Sequence, residues 1–109
     1  MKKGEIWIIS YPIKGKREQS GLRPGIILAE NKLGLIATIP LSSNIQAKKF
    51  PETLEIKNSS KNGLDKNSVA LVFQVQSLDK RRFNSKIGVL EETYSKEIDK
   101  ILKNWLKLN

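Results

Sequence analysis

Residues 24–41 read PGIILAENKLGLIATIPL. Two runs rich in Ile and Leu flank the polar, glycine-containing Asn31-Lys32-Leu33-Gly34. Apolar runs bounded by turn residues read as strands. The stretch therefore predicts a hairpin, with one strand over 24–30, a short turn, and a second strand over 35–41. Pro24 suits a strand's first residue, where a missing ladder donor costs little.

Working outward, Glu5 to Tyr11 (EIWIISY) is β-branched and aromatic, a first strand that Pro12 ends. Residues 13–22 are polar and read as a loop. After the hairpin, 42–49 reads as a loop and 53–56 as a fourth strand. A second polar loop, 58–64, holds the turn pair Asn62-Gly63. Residues 68–76 alternate, with Val69, Leu71, Phe73 and Val75 on one face and Ala70, Val72, Gln74 and Gln76 on the other. That period of two predicts one continuous strand. A helical turn is expected over 78–83, with Ser77 or Asp79 capping it, and a strand over 86–90.

The chain ends in a predicted helix. Tyr94, Ile98, Ile101, Leu102, Trp105 and Leu108 recur at spacings of three and four and form one apolar stripe. Lys96, Lys100, Lys103 and Lys107 occupy the other face, which reads as solvated. Thr93 or Ser95 is expected to cap its start. Short strands followed by one helix predict a mainly β fold: a small, strongly curved sheet or barrel with the helix packed on it.

The chain has 109 residues, the size of one ordinary small domain, here 1–109. Its 20 Lys and Arg against 11 Asp and Glu give a net charge of +9. Such an excess favours an anionic partner without choosing among nucleic acid, an acidic protein and a membrane surface. There is no cysteine and no histidine. Thiolate chemistry is excluded, and so is the usual neutral-pH general base. Catalysis would fall to carboxylate, hydroxyl, Lys or Arg. No apolar run has the length to span a membrane, and MKKGEIW lacks the apolar core of a signal peptide. The expected location is cytoplasmic.

Three stretches carry candidate chemistry. In EQSGLRPG, Glu18 to Gly25, turn residues bracket Arg23 just before a strand. Local chemistry allows a plain turn there. It also allows a site in which a guanidinium, whose planar fork of donors fits phosphate, meets a carboxylate that can accept a proton. Ser42-Ser43-Asn44 leaves the third strand, either as an ordinary exit bonding its own backbone or as hydroxyls for a phosphate oxygen. Lys80, Arg81 and Arg82 form either a solvated cluster or a set of phosphate contacts.

The order of these pieces resembles the PemK/MazF family of toxin–antitoxin ribonucleases. KKGEIW, EQSGLRPGIIL, IPLSSN, FPETLEI and GLDKNSVALVFQVQSLDKRR occur in the family's order, followed by the helix. The resemblance covers essentially the whole chain. It implies an SH3-like barrel of curved antiparallel strands with a C-terminal helix, acting as a homodimer. It implies metal-independent, cofactor-free cleavage of single-stranded RNA, often messenger RNA, leaving 2′,3′-cyclic phosphate and 5′-hydroxyl ends. The implied partners are that RNA, a cognate antitoxin that blocks the RNA groove, and DNA through the toxin–antitoxin complex; no membrane is involved.

By the same resemblance, Arg23 of Gly21-Leu22-Arg23-Pro24 takes the family's catalytic arginine role. Glu18 corresponds to the upstream acidic residue, and Ser42 to a hydroxyl position that is usually Thr. RNA contacts fall to Lys16, Arg17 and Gln19 in the first loop, and to Ser43 and Asn44 after the third strand. Gln76 and Lys80 are placed further along the groove. Gln76 stands where relatives often carry Arg. Gly25 stands where relatives often carry Ala or another small residue, a change expected to be harmless. Two other readings remain open: a non-cleaving toxin of the same general fold that binds gyrase, and a member that binds RNA or antitoxin without cutting.

Overall fold

The computed structural model describes residues 1–12 and 21–108. Its strands are β1 (Glu5–Ser10), β2 (Leu22–Glu30), β3 (Leu35–Ser42), β4 (Thr53–Ile56), β5 (Ser68–Leu71), β6 (Gln76–Asp79) and β7 (Phe83–Val89), and helix α1 spans Glu92–Leu106. The strands form a sheet in the order β4-β5-β3-β2-β1-β7, with β6 paired to β3. Every pairing is antiparallel. The expected mainly β chain with one C-terminal helix is what forms.

The hairpin read from residues 24–41 is its centre. Asn31 closes the turn by accepting from the Leu33 and Leu35 amides at 2.9 and 3.0 Å. Gly34 adopts φ +79°, a left-handed conformation that glycine takes without steric cost. β2 starts at Leu22, two residues before Pro24, because its early residues pair with the end of β1. Register shifts in the β1–β7 and β2–β3 ladders add the local twist that curves the sheet.

The strand expected over 68–76 is broken. β5 ends at Leu71, a 3-10 turn takes up Val72–Gln74, and β6 carries the chain on from Gln76. Both segments run antiparallel to β3, but Leu41 faces Ala70 while Thr38 faces Gln76. The register slips by the 3 residues of the turn. The two-face alternation fails for the same reason: β5 is covered on both sides and all its residues are buried. Ala70 enters the main core while Val69 and Leu71 pack with Ala47. Burial on both faces makes alternation uninformative.

Smaller differences have local causes. The loop expected over 42–49 contains a 3-10 helix at Ile45–Lys49, started by the Asn44 side chain. The turn expected over 78–83 shrinks to Lys80–Arg82, capped by Asp79 as one of the two expected residues, because Leu78 and Asp79 belong to β6 and Phe83 opens β7. Helix α1 is N-capped by Glu91, not by Thr93 or Ser95, and no side chain bonds its first turn.

Ile6, Ile26, Ile39, Leu41, Ile56 and Ile98 anchor the main core. Truncating one such buried isoleucine to alanine typically costs ~2–5 kcal/mol. Tyr94, Ile101 and Leu102 of the helix stripe pack against this core, while Trp105 and Leu108 run past it and are exposed. Among the described residues no helix is long and apolar enough to cross a membrane.

Candidate active site

A cleft of about 660 Å³ opens where β2 begins and β3 ends. Its walls include Arg23 and Pro24 from β2, Ser42 with Ser43 and Asn44, and the segment Gly63 to Lys66. Sheet geometry explains the meeting of Arg23 and Ser42. Gly25 pairs with Pro40 across β2 and β3. Continuing that antiparallel register by two residues on each strand sets Arg23 opposite Ser42.

Arg23 is half-buried. Among the described residues no hydrogen bond or ion pair holds its guanidinium. Its support comes from below. The Tyr11 amide donates to the Gly21 carbonyl at 2.8 Å, and the Tyr11 hydroxyl donates to Thr38 Oγ1 at 3.0 Å. Burial pushes the Tyr11 phenol up to about 12, against the opposing pulls of the Thr38 hydrogen bond and the Arg23 charge. Tyr11 is therefore a neutral structural donor at physiological pH.

Gly25 is not freely interchangeable with alanine here. A Cβ at this position would overlap the Tyr11 hydroxyl and lie 2.7 Å from Ile9 Cδ1. The glycine at this position leaves room for the Tyr11 phenol in its bond to Thr38.

Ser42 Oγ accepts from the Asn44 amide at 3.1 Å. Asn44 Oδ1 in turn accepts from the Gln46 amide at 3.1 Å. These are the local backbone bonds expected of a strand exit, and they fix both side chains. The Ser42 hydroxyl proton remains available to a group in the cleft. Ser43 is exposed on the same wall.

The structure thus gathers Arg23, Ser42, Ser43 and Asn44. Lys16, Arg17, Glu18 and Gln19 lie outside the described residues. Gln76 pairs across from Thr38, its Nε2 donating to the Gln74 carbonyl at 3.4 Å, and Lys80 pairs with Glu30 at 3.6 Å. Neither lines this cleft. Arg81 is engaged with Asp79, and Arg82 donates to the Ser10 carbonyl at 3.1 Å.

Two features escaped the sequence reading. One is Tyr11 as the support under β2. The other is the wall formed by Asp65 and Lys66. The Asn62-Gly63 turn signalled a bend there but not which surface it would face.

A family model described as PemK-like, MazF-like toxin of type II toxin–antitoxin system matches residues 2–106. The chain belongs to this toxin family. It is 31% identical over 115 residues to Endoribonuclease MazF of Staphylococcus epidermidis, covering 100% of this chain and 93% of that one. Its fold resembles MazF from Deinococcus radiodurans, with TM-score 0.79 at 22% identity over 98% and 96% of the two chains. The Mycobacterium tuberculosis toxin MazF-mt6 aligns with TM-score 0.74 at 18% identity over 96% and 98%. A MazE-MazF structure from D. radiodurans aligns with TM-score 0.76 at 23% identity over 100% and 97%. The PemK/MazF toxins thus share this curved antiparallel sheet and terminal helix.

Proposed function

We propose that this MazF-like toxin is an endoribonuclease that cleaves single-stranded RNA at short sequences without a metal ion. The carrying observation is the convergence of the Arg23 guanidinium and the Ser42 hydroxyl on one cleft. The relative named Endoribonuclease MazF supports the reading, as does the charge of +9, which suits a polyanionic substrate.

In the proposed reaction the RNA's own 2′-oxygen attacks the adjacent phosphorus and the bond from phosphorus to the 5′-oxygen breaks. The 2′-hydroxyl loses a proton to a base and the leaving 5′-oxygen gains one. The products are a 2′,3′-cyclic phosphate and a 5′-hydroxyl. Arg23 stabilises charge developing on the phosphoryl oxygens, the role suited to a planar cationic fork of donors. A guanidinium holds its proton too firmly to act as the base. Ser42 donates to a phosphoryl oxygen. Glu18 is the proposed base.

The proposed working form is a homodimer in the cytoplasm, restrained by a cognate antitoxin and contacting DNA through the joint complex. Exposed Phe50, Trp105 and Leu108 offer apolar surface to a second copy or to the antitoxin. The solved MazE-MazF relative supports an antitoxin partner.

Incubating the protein with a long single-stranded RNA in EDTA tests the reading. Defined cuts carrying 5′-hydroxyl ends are expected. Intact RNA, or cutting that requires an added divalent ion, would overturn it. Metal independence is supported by a sequence without His or Cys. Among the described residues no three Asp or Glu side chains cluster as a ligand set.

A further inference from the structure

The wall of the cleft formed by residues 63–66 is unusually well anchored for a polar loop. Asn62 is fully buried. Its Oδ1 accepts from the Ser59 and Leu64 amides at 3.0 and 3.1 Å. Its Nδ2 donates to the Lys57 carbonyl at 2.9 Å and to Glu91 Oε1 at 3.1 Å. The Asn58 amide donates to Asn67 Oδ1 at 2.9 Å, and Ser68 Oγ donates to the Lys66 carbonyl at 3.1 Å. Gly63, at φ +71°, sits against the Ile87 carbonyl with no room for a Cβ. Leu64 enters the main core and Ser68 begins β5. Asp65 and Lys66 are therefore held from both ends.

Lys66 is exposed, yet its backbone is fixed. Among the described residues no ion pair holds its ammonium, and neighbouring Asp65 does not pair with it. Sheet order places it with respect to Ser42. β3 carries β2 on one edge and β5 on the other. Arg23 lies on β2, and Lys66 precedes β5 by two residues. The two cations thus flank Ser42 from opposite edges of β3 and line the same cleft.

We propose that Lys66 is a phosphate-binding residue of the RNA groove, holding the backbone beside the phosphate that Arg23 and Ser42 address. The proposal rests on the reading of this cleft as the RNA site. Lysine supplies a compact point charge for such a contact, which positions the strand without reading its bases. Anchoring of the loop limits the conformational freedom lost when the strand binds.

The test measures binding of a 2′-O-methylated, non-cleavable single-stranded RNA across a series of salt concentrations. Wild type, Lys66→Gln, Lys66→Arg and Lys103→Gln, on the outer face of α1, are compared. One lost phosphate contact should reduce the slope of log affinity against log salt by ~0.7. That reduction is expected for Lys66→Gln alone, with Lys66→Arg restoring the slope. For cleavable RNA, KM should rise several-fold with kcat within about twofold of wild type. An unchanged slope in Lys66→Gln, or an equal loss in Lys103→Gln, overturns the proposal while leaving the RNA reading intact. A wild-type protein that neither binds nor cuts RNA overturns both.

Discussion

The Tyr11 hydroxyl occupies the space that a side chain at Gly25 would need. Tyr11 is held there by its bond to Thr38 of β3 at 3.0 Å, and Gly25 lies two residues along β2 from Arg23. Gly25→Ala must displace the phenol or the Ile9 side chain. Overpacking of this kind costs ~1–3 kcal/mol. A lower urea midpoint with an unchanged slope is expected. Tyr11→Phe in the same chain should recover part of the loss by removing the oxygen. A Gly25→Ala protein as stable as wild type would show that the phenol is free to move.

Arg23 contributes charge at the cleft and little to folding, because among the described residues its guanidinium bonds to nothing. Arg23→Ala should lower kcat/KM for RNA by about 10²–10³ or more, the loss typical of one fixed donor. Circular dichroism and the unfolding midpoint should stay close to wild type. Cleavage at the wild-type rate would remove Arg23 from the mechanism.

Ser42 serves two partners, the Asn44 amide at 3.1 Å and, in the proposed reaction, a phosphoryl oxygen. Ser42→Ala loses both. Ser42→Thr keeps the hydroxyl and restricts its rotamers. Cleavage should fall about tenfold or more in the alanine variant, by the loss of a hydrogen bond to a charged group. It should persist in the threonine variant. Equal activity in the alanine variant would shift the hydroxyl role to Ser43.

Glu91 accepts from Ser59 Oγ at 2.6 Å and from Asn62 at 3.1 Å. Burial raises its pKa, but these hydrogen bonds, its own backbone amide and the Lys61 charge outweigh burial and hold it below the ordinary 4.5. A depressed folded-state pKa stabilises the fold above the unfolded value, and the gain fades as pH falls through the folded one. Glu91→Gln should therefore destabilise by about 1.5 kcal/mol or more at pH 7, where the charged acceptor is lost. The gap from wild type should narrow as pH drops below 4.5. Chemical denaturation at a series of pH values checks this, and a gap that stays constant would count against it.

Much of the architecture was legible because it is local. The hairpin over 24–41 carries its own turn chemistry in Asn31 and Gly34. Residues 53–56 emerged as a strand with the expected bounds, and the helix stripe placed Ile98 in the core. Resemblance over the whole chain pointed to Arg23 and Ser42, which the fold then brought to one cleft. Glu91 was less legible: it stood where an acidic residue suits a helix start, but its carboxylate turned away to Asn62.

The order of residues by itself determined the central hairpin with its turn, the strand over 53–56, the terminal helix, the excess of positive charge and the absence of imidazole and thiol. Those depend on side-chain type and on neighbours a few positions away. Tertiary structure alone decided the break after Leu71, the crowding of Gly25 by Tyr11 and Ile9, and the placement of Lys66 beside the cleft. Each depends on contact between segments distant in sequence: β5 and β6 with β3, Tyr11 with β2, and Asn62 with Glu91. Local propensity carries no information about such contacts until the sheet's register brings them together.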